Sequence, residues 1–131
     1  MFIDASALCA ILLDEEDAAI IADKIEAAPL RLTSAIAAFE TVRALMREGG
    51  GEPARARTIV DAFLREADVA CVEIGKAELD LALEAMDRFG KGRHPARLNM
   101  GACFAYACAR AHGQPLLFKG DDFSRTDVDA A

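Results

Sequence analysis

The sequence predicts an α/β fold in which helices cover both faces of a central parallel sheet. Longer amphipathic stretches alternate with short strand patterns at 2–3, 30–33, 69–74 and 116–118. Such alternation favours parallel pairing, because each helix carries the chain back to the same end of the sheet. The length of 131 residues and the apolar fraction of 53% fit one domain with a full core. We therefore expect a single three-layer α/β/α domain over residues 1–131.

The helix predictions follow from apolar spacing and from start and stop signals. We expect helices over 7–13, 14–28, 35–48, 53–67, 76–89 and 98–112, and a short edge strand over 126–128. Asp14 is a candidate cap of the second helix, and Gly49-Gly50-Gly51 ends the third. The large apolar residues at helical spacing should form the inward faces: Ile36, Phe39, Met46, Ile59, Phe63, Leu79, Leu83, Met86, Met100 and Phe104.

A carboxylate stands where the first strand should end. Asp4 follows Phe2-Ile3, and Ala5-Ser6 forms a compact turn into a helix. In open α/β sheets, the carboxyl end of a parallel strand faces the crevice where ligands bind. A buried Asp4 would need a cation or several hydrogen bonds. The plainer interpretation is that Asp4 only caps the following helix.

A second acid lies on the helix predicted over 35–48. Glu40 is followed by Arg43 and Arg47 at helical spacing, which places all three on one face. One interpretation is a surface ion pair worth a few tenths of a kcal/mol. The other is a metal-binding carboxylate with two arginines behind it that contact phosphates.

The densest positive cluster lies in the glycine-bearing segment 89–97. It contains Lys91, Arg93 and Arg97, whereas the whole chain has a net charge of −7. That net charge argues against non-specific nucleic-acid binding by the chain as a whole, but a local basic surface could still face RNA. The segment could equally be a solvated connection, and His94 is interpreted as an ordinary loop histidine.

The remaining composition bounds compartment and chemistry. Cys9, Cys71, Cys103 and Cys108 lack zinc-type or disulfide spacing, so we expect buried thiols in a reducing compartment. A membrane span needs roughly 18 or more consecutive apolar residues, and the sequence has no such run. The first residues also lack the basic segment of a signal peptide. We therefore expect a cytoplasmic protein that does not cross a membrane.

Three stretches together resemble one protein family. The opening Met-Phe-Ile-Asp-Ala-Ser-Ala-Leu and the pair Phe39-Glu40 are similar to those of PIN domains. The runs 98–107 and 115–123, Leu-Asn-Met-Gly-Ala-Cys-Phe-Ala-Tyr-Ala and Pro-Leu-Leu-Phe-Lys-Gly-Asp-Asp-Phe, closely resemble VapC-type toxins. These toxins are the ribonuclease halves of bacterial toxin–antitoxin pairs. The resemblance covers essentially the whole chain and implies a PIN-like three-layer fold.

The resemblance also implies a site. Asp4 and Glu40 match the first two metal-binding acids of the family, and Ser6 matches the small hydroxyl residue beside the first. Asp121 is the expected fourth acid, with Asp122 the alternative. Ala102 stands where the family pattern has its third aspartate. Either the protein is a natural inactive member or the alanine was engineered to silence a toxic nuclease; the intact neighbouring residues favour engineering.

The implied function is a metal-dependent endoribonuclease toxin that uses Mg²⁺ or Mn²⁺ and is impaired at Ala102. The implied partners are a cognate antitoxin, an RNA substrate contacted by Ser6, Arg43, Arg93 and Arg97, and a second copy in a homodimer. The alternative is a non-catalytic PIN-fold protein that binds an antitoxin or RNA without cleaving it. A receiver domain fits poorly, because the stretch 69–74 offers only Glu73 as an acceptor acid.

Overall fold

The computed structural model describes residues 1–49 and 51–131. These residues contain four short strands and six α-helices. The strands are β1 (Phe2–Ile3), β2 (Leu32–Ser34), β3 (Ala70–Val72) and β4 (Leu116–Leu117). The helices are α1 (Ala5–Leu12), α2 (Ala18–Ala27), α3 (Ala35–Gly49), α4 (Pro53–Glu66), α5 (Lys76–Phe89) and α6 (Met100–Ala111). A short 3₁₀ helix over Phe123–Arg125 follows β4.

The strands form one parallel sheet in the order β3-β2-β1-β4. Phe2 of β1 lies opposite Leu32 on one side and Leu116 on the other. The chain therefore builds outward from β1 to β3 and then returns to add β4 on the opposite side of β1. A reversal of this kind leaves a crevice at the carboxyl ends of the strands. Asp4 after β1 and the segment after β4 meet at that edge.

Alternate residues of the strands point into two separate cores, as the pleat of a strand requires. Phe2 and Leu116 pack with Phe89 and Tyr106 from α5 and α6 on one face. Ile3 and Leu117 pack with α1 and α2 on the other face, where Leu8, Ile21 and Ile25 are buried. Helices thus cover both faces of a parallel sheet, which confirms the predicted three-layer α/β/α fold.

Three predicted boundaries were wrong. The helix predicted over 7–13 begins at Ala5, so the predicted turn Ala5-Ser6 is its first turn, capped by Asp4. The helix predicted over 14–28 begins only at Ala18, because Asp14 adopts a left-handed backbone conformation with φ of 53° that ends the first helix. The edge strand predicted over 126–128 is absent from the described chain: the Thr126 hydroxyl instead donates to the Phe123 carbonyl, and Ala130 forms the bridge to Leu116. The predicted stop at 49–51 falls partly outside the described residues, which omit Gly50.

Several of the predicted inward faces were also wrong. Phe39 is 63% exposed and Met100 is 69% exposed, and Ile59, Leu79, Leu83 and Met86 are each nearly half exposed. Most of the buried residues of these two helices are small instead, namely Ala37, Thr41 and Ala44 of α3 and Gly101, Ala102, Cys103, Ala105, Ala107, Cys108 and Ala109 of α6; Tyr106 is the large exception. Small side chains let helices approach closely, so the large apolar residues are left outside. Cys71, expected to be buried, is exposed on the edge strand β3.

Despite these exposed apolar residues, no helix in the described part of the chain is long and apolar enough to cross a membrane.

Candidate active site

A cavity of about 220 Å³ opens at the carboxyl edge of the sheet. It lies between the amino ends of α1 and α6, the middle of α3 and the segment after β4. Its walls are formed by Asp4, Ala5, Ser6, Cys9, Glu40, Ala44, Arg47, Asn99, Ala102, Lys119, Asp122 and Phe123.

Asp4 is the most deeply buried acid of the cavity, with 7% of its surface exposed. It is the N-cap of α1, and its carboxylate accepts hydrogen bonds from the Ser6 N–H at 3.0 Å and the Ser6 hydroxyl at 2.6 Å. Burial raises the pKa of Asp4 above its usual value; the hydrogen bonds from Ser6 oppose this rise, and the nearby charge of Asp122 adds to it. Asp4 therefore both caps a helix and presents a poorly compensated carboxylate.

Glu40 reaches the same cavity from α3. Its half-buried position raises its pKa, the charge of Asp4 raises it further, and Arg43 opposes both effects. Among the ion pairs of the described residues, none joins Glu40 to Arg43 or Arg47. The simple surface-pair interpretation therefore does not describe Glu40. Arg47, one turn beyond Arg43, lines the cavity.

The first turn of α6 forms the opposite wall. The Asn99 side chain caps this helix by accepting a hydrogen bond from the Ala102 N–H at 2.9 Å. Asn99 and Ala102 both line the cavity, and the methyl group of Ala102 is the only side-chain group at that position. A longer side chain at position 102 would point into a region that Asp4 and Glu40 already border.

The segment after β4 closes the cavity. Asp122 lines it, whereas Asp121 lies outside its lining and accepts a hydrogen bond from Ser124 through its main-chain carbonyl. The backbone N–H of Lys119 donates to the Ser6 hydroxyl at 3.0 Å. The Lys119 ammonium binds Asp17 at 2.7 Å and also Glu15, which attaches the loop between α1 and α2 to this wall.

Comparison with known proteins assigns the chain to a family. The PIN domain family model matches residues 1–129. The chain belongs to the PIN-domain family. Ribonuclease VapC of Mycolicibacterium smegmatis is 45% identical over 130 residues, which cover 99% of this chain and 98% of that protein. Ribonuclease VapC30 of Mycobacterium tuberculosis is 45% identical over 131 residues, covering 98% and 95%.

A solved structure agrees with this assignment at the level of the fold. The crystal structure of VapC20 from Mycobacterium tuberculosis, described as a toxin that cleaves the sarcin–ricin loop, matches with a TM-score of 0.78. The match covers 99% of this chain and 97% of that one at 20% identity. Together with the relatives above, it makes this chain a VapC-type PIN-domain protein, in a family whose named members are ribonucleases.

The basic segment of this PIN-domain protein does not reach the cavity. Arg93 forms an ion pair with Asp87 at 2.7 Å, and Arg97 is exposed with φ of 54°. His94 accepts a hydrogen bond from the Ala96 N–H through Nδ1 at 3.1 Å and packs edge-on against Phe89. His94 is thus held by local contacts, and any role of Arg93 and Arg97 must involve a ligand that extends beyond the cavity.

Sequence reasoning assigned no site role to three residues of this PIN-domain protein that bring a polar or thiol side chain to the cavity wall: Cys9, Asn99 and Lys119. Asn99 lies inside the helix predicted over 98–112, whereas in the structure it caps a helix that begins at Met100. The signal that could have identified it is the preference for asparagine at the N-cap. Cys9 follows Asp4 by just over one helical turn, and only its exposure distinguishes it from a core thiol. No local signal in the sequence singles out Lys119.

The chemistry of the cavity suits a hard divalent cation. Mg²⁺ and Mn²⁺ prefer carboxylate oxygens, and Asp4, Glu40 and Asp122 supply them from three distant segments. Burial raises the pKa of Asp4 and of Glu40, and a bound cation would stabilise their charged forms. Within residues 1–49 and 51–131, however, no three acidic, histidine or cysteine side chains form a complete metal-binding group.

Proposed function

We propose that this VapC-type protein is a Mg²⁺- or Mn²⁺-dependent endoribonuclease toxin whose present activity is impaired by Ala102. The observation that carries the proposal is the convergence of Asp4 and Glu40 in one cavity at the carboxyl edge of the sheet. Neither carboxylate is neutralised by a basic side chain within hydrogen-bonding distance among the described residues. Such a pair is costly to keep charged unless a cation binds between them.

In the proposed site, Asp4, Glu40 and Asp122 would hold the ion. When bound, a divalent cation activates water and stabilises charge on the phosphate during hydrolysis. Ser6 orients the Asp4 carboxylate through its two hydrogen bonds. Arg47 lines the cavity and Arg43 lies one turn before it, outside the lining; in the proposal both would contact the phosphate backbone of RNA. Arg93 and Arg97 would contact the same RNA farther along.

We extend the proposal to a cognate antitoxin. A separate groove of about 460 Å³ is lined by residues of α1, α3 and α4 and of the turns that follow α1 and α3, both apolar (among them Leu12, Leu45 and Ile59) and charged (Asp14, Glu48 and Arg55). Two of these helices, α1 and α3, also carry residues of the acidic cavity. An antitoxin helix could pack there and place an arginine or lysine against Asp4 and Glu40, because a carboxylate pair binds a guanidinium strongly. Within the segment 14–28, Asp14 is the residue that lines this groove.

The chain is further proposed to act in the cytoplasm as a homodimer. Leu79, Leu83, Met86 and Met100 expose apolar surface around a second groove between α5 and α6. Contiguous apolar surface of this kind favours association of protein chains. Light scattering over a range of concentrations measures the oligomeric state directly, and a monomer at all concentrations would contradict the dimer.

A second function is favoured by the incomplete acidic group. Because no three acidic, histidine or cysteine side chains of the described residues form a complete metal-binding group, the protein could instead bind an antitoxin or RNA without cleaving it. The two proposals differ in what a carboxylate at position 102 would do. It should create metal-dependent cleavage in the first case and change nothing catalytic in the second.

The deciding experiment compares RNA cleavage by the present chain, Ala102→Asp and Ala102→Asn, each with and without Mn²⁺. We expect cleavage near background for the present chain and for Ala102→Asn, and Mn²⁺-dependent cleavage for Ala102→Asp. The asparagine variant matches aspartate in size and lacks its charge. Adding Glu40→Gln to Ala102→Asp should abolish the gain. A folded Ala102→Asp variant that cuts no RNA would favour the non-catalytic function.

A further inference from the structure

The Glu40 carboxylate rests directly on the backbone of Gly101, in the first turn of α6. A Cβ atom added at position 101 would overlap both carboxylate oxygens and the carboxyl carbon of Glu40, which are its three nearest neighbours. Gly101 is buried where α3 and α6 meet. The position of this acid in the cavity therefore depends on the absence of a side chain from a different helix.

Backbone conformation does not explain the glycine. Gly101 lies within α6 and has an ordinary helical backbone, unlike Gly92, Gly113 and Gly120, whose φ angles are positive. Alanine is a better helix former than glycine, so the helix itself would favour a side chain here. The three atoms nearest to an added methyl group all belong to the far end of the flexible Glu40 side chain, which can rotate away. Alanine at position 101 should therefore displace the Glu40 carboxylate more readily than it displaces α6.

We propose that Gly101 is a positioning residue that lets the Glu40 carboxylate reach the cavity beside Asp4. The inference rests on the proposed metal-binding role of Glu40. A methyl group at position 101 would move the carboxylate out of the cavity while leaving the helices in place. Two adjacent positions of α6 would then have separate roles. Gly101 leaves space for the Glu40 carboxylate, and position 102 would hold an aspartate in an active protein.

The direct test is a metal-free crystal structure of Gly101→Ala. We expect an unchanged fold with Glu40 in a different rotamer, its carboxylate moved away from Asp4. If the carboxylate stays in place and α6 shifts instead, the positioning role is wrong. Gly49→Ala is the matched control, because a Cβ there would meet no atom of the described chain within 4 Å; its Glu40 rotamer should be that of the parent.

A second test measures Mn²⁺ affinity by calorimetry in the Ala102→Asp background. Groups that orient a metal ligand typically change affinity by about 10–100-fold, so Gly101→Ala should weaken binding at least tenfold and Gly49→Ala should not. In a Glu40→Ala background, Gly101→Ala should have little further effect, since the two changes act through one contact. An equal loss in both backgrounds would overturn the inference.

These two tests also separate the inference from the function on which it rests. If Ala102→Asp binds no Mn²⁺ while Gly101 is intact, the proposed metal site fails. The crystal structure of Gly101→Ala would still decide whether residue 101 controls the position of Glu40.

Discussion

The Ser6 hydroxyl donates a 2.6 Å hydrogen bond to the Asp4 carboxylate and accepts a 3.0 Å hydrogen bond from the backbone N–H of Lys119. A hydroxyl can do both at once because it has one donor and two acceptor lone pairs. The residue after β1 is thereby connected to the segment after β4, and these are the two sides of the cavity. Ser6 consequently links the position of the Asp4 carboxylate to the position of the segment that contains Lys119.

Replacing this hydroxyl should lower stability measurably. Ser6→Ala removes a hydrogen bond from a buried carboxylate and leaves the Lys119 N–H without its partner. Each such loss costs about 0.5–1.5 kcal/mol, and more when the partner is charged, so we expect the free energy of unfolding to fall by about 1–2 kcal/mol. Urea unfolding measures the change. Ser124→Ala removes an exposed hydrogen bond to the Asp121 carbonyl and should alter stability by less than about 0.5 kcal/mol; equal losses would contradict the prediction.

The buried carboxylate of Asp4 should make stability depend on pH. Burial raises the pKa of Asp4 above its usual 3.8, so the folded state binds a proton more readily than the unfolded state. Above about pH 4 the folded state then carries more protons, and the free energy of unfolding falls as the pH rises until the folded-state pKa is passed. Asp4→Asn keeps an acceptor for Ser6 and removes this titration.

We therefore expect Asp4→Asn to unfold with a flatter pH profile between about pH 4 and pH 7 and to be the more stable protein at pH 7. Urea midpoints at four pH values test both expectations. Glu40→Gln should act in the same direction, because burial and Asp4 raise its pKa as well. If the urea midpoint changes with pH as steeply in Asp4→Asn as in the parent chain, the pKa of Asp4 is not raised in the folded state. Greater stability in a variant without its site acid would fit the usual conflict between stability and function.

Away from the cavity, Arg31 connects the ends of two helices. Its guanidinium donates to the Glu26 and Ala28 carbonyls at 2.8 and 3.1 Å, near the end of α2, and to the Ala67 carbonyl at 2.8 Å, at the end of α4. Carbonyls at helix ends lack intrahelical partners, so one side chain satisfies three of them.

Arg31→Met keeps the aliphatic stem but loses all three hydrogen bonds. We expect the free energy of unfolding to fall by about 2 kcal/mol, because hydrogen bonds to charged groups contribute about 1.5–3 kcal/mol each when buried and less when exposed. Arg57→Met is the matched control. It breaks only an exposed ion pair with Asp61 and should cost less than about 1 kcal/mol. Similar losses in the two variants would mean that the helix ends do not depend on Arg31.

How much of the fold the sequence predicts depends on the kind of signal. Alternating strands and helices predicted the parallel sheet and its layers, since the connection between consecutive parallel strands is itself a helix. The inward faces were predicted less well because apolar periodicity shows a stripe without showing which neighbour covers it. In α3 the small residues Ala37 and Ala44 face inward and Phe39 faces solvent. Close helix packing decides that choice, and it involves residues from other helices.

The cavity shows a similar division. The placement of Asp4 at a strand end is readable from the sequence because strand ends share one edge of the sheet. The sequence does not show which of Asp121 and Asp122 lines the cavity, because that depends on the helical backbone of Asp122 at the start of a 3₁₀ helix. Lys119 contributes its main-chain N–H, which every residue except proline possesses. The contact of Glu40 with Gly101 joins two helices that are distant in sequence, so no local pattern contains it.

Ala102→Asp should change the free energy of unfolding, in opposite directions without and with metal. A new carboxylate would lie beside Asp4 and Glu40, whose pKa values burial already raises. Without metal, repulsion should lower the free energy of unfolding by about 1 kcal/mol, the size of an ordinary destabilising substitution. Mn²⁺ should reverse this loss, because a ligand that binds only the folded state adds about 2.7 kcal/mol at 100 times its dissociation constant. Thermal unfolding with and without Mn²⁺ measures both effects. Ala102→Asn should show neither the repulsion nor the rescue, and a Mn²⁺ effect no larger in Ala102→Asp than in the parent chain would remove the main physical support for a metal site completed at position 102.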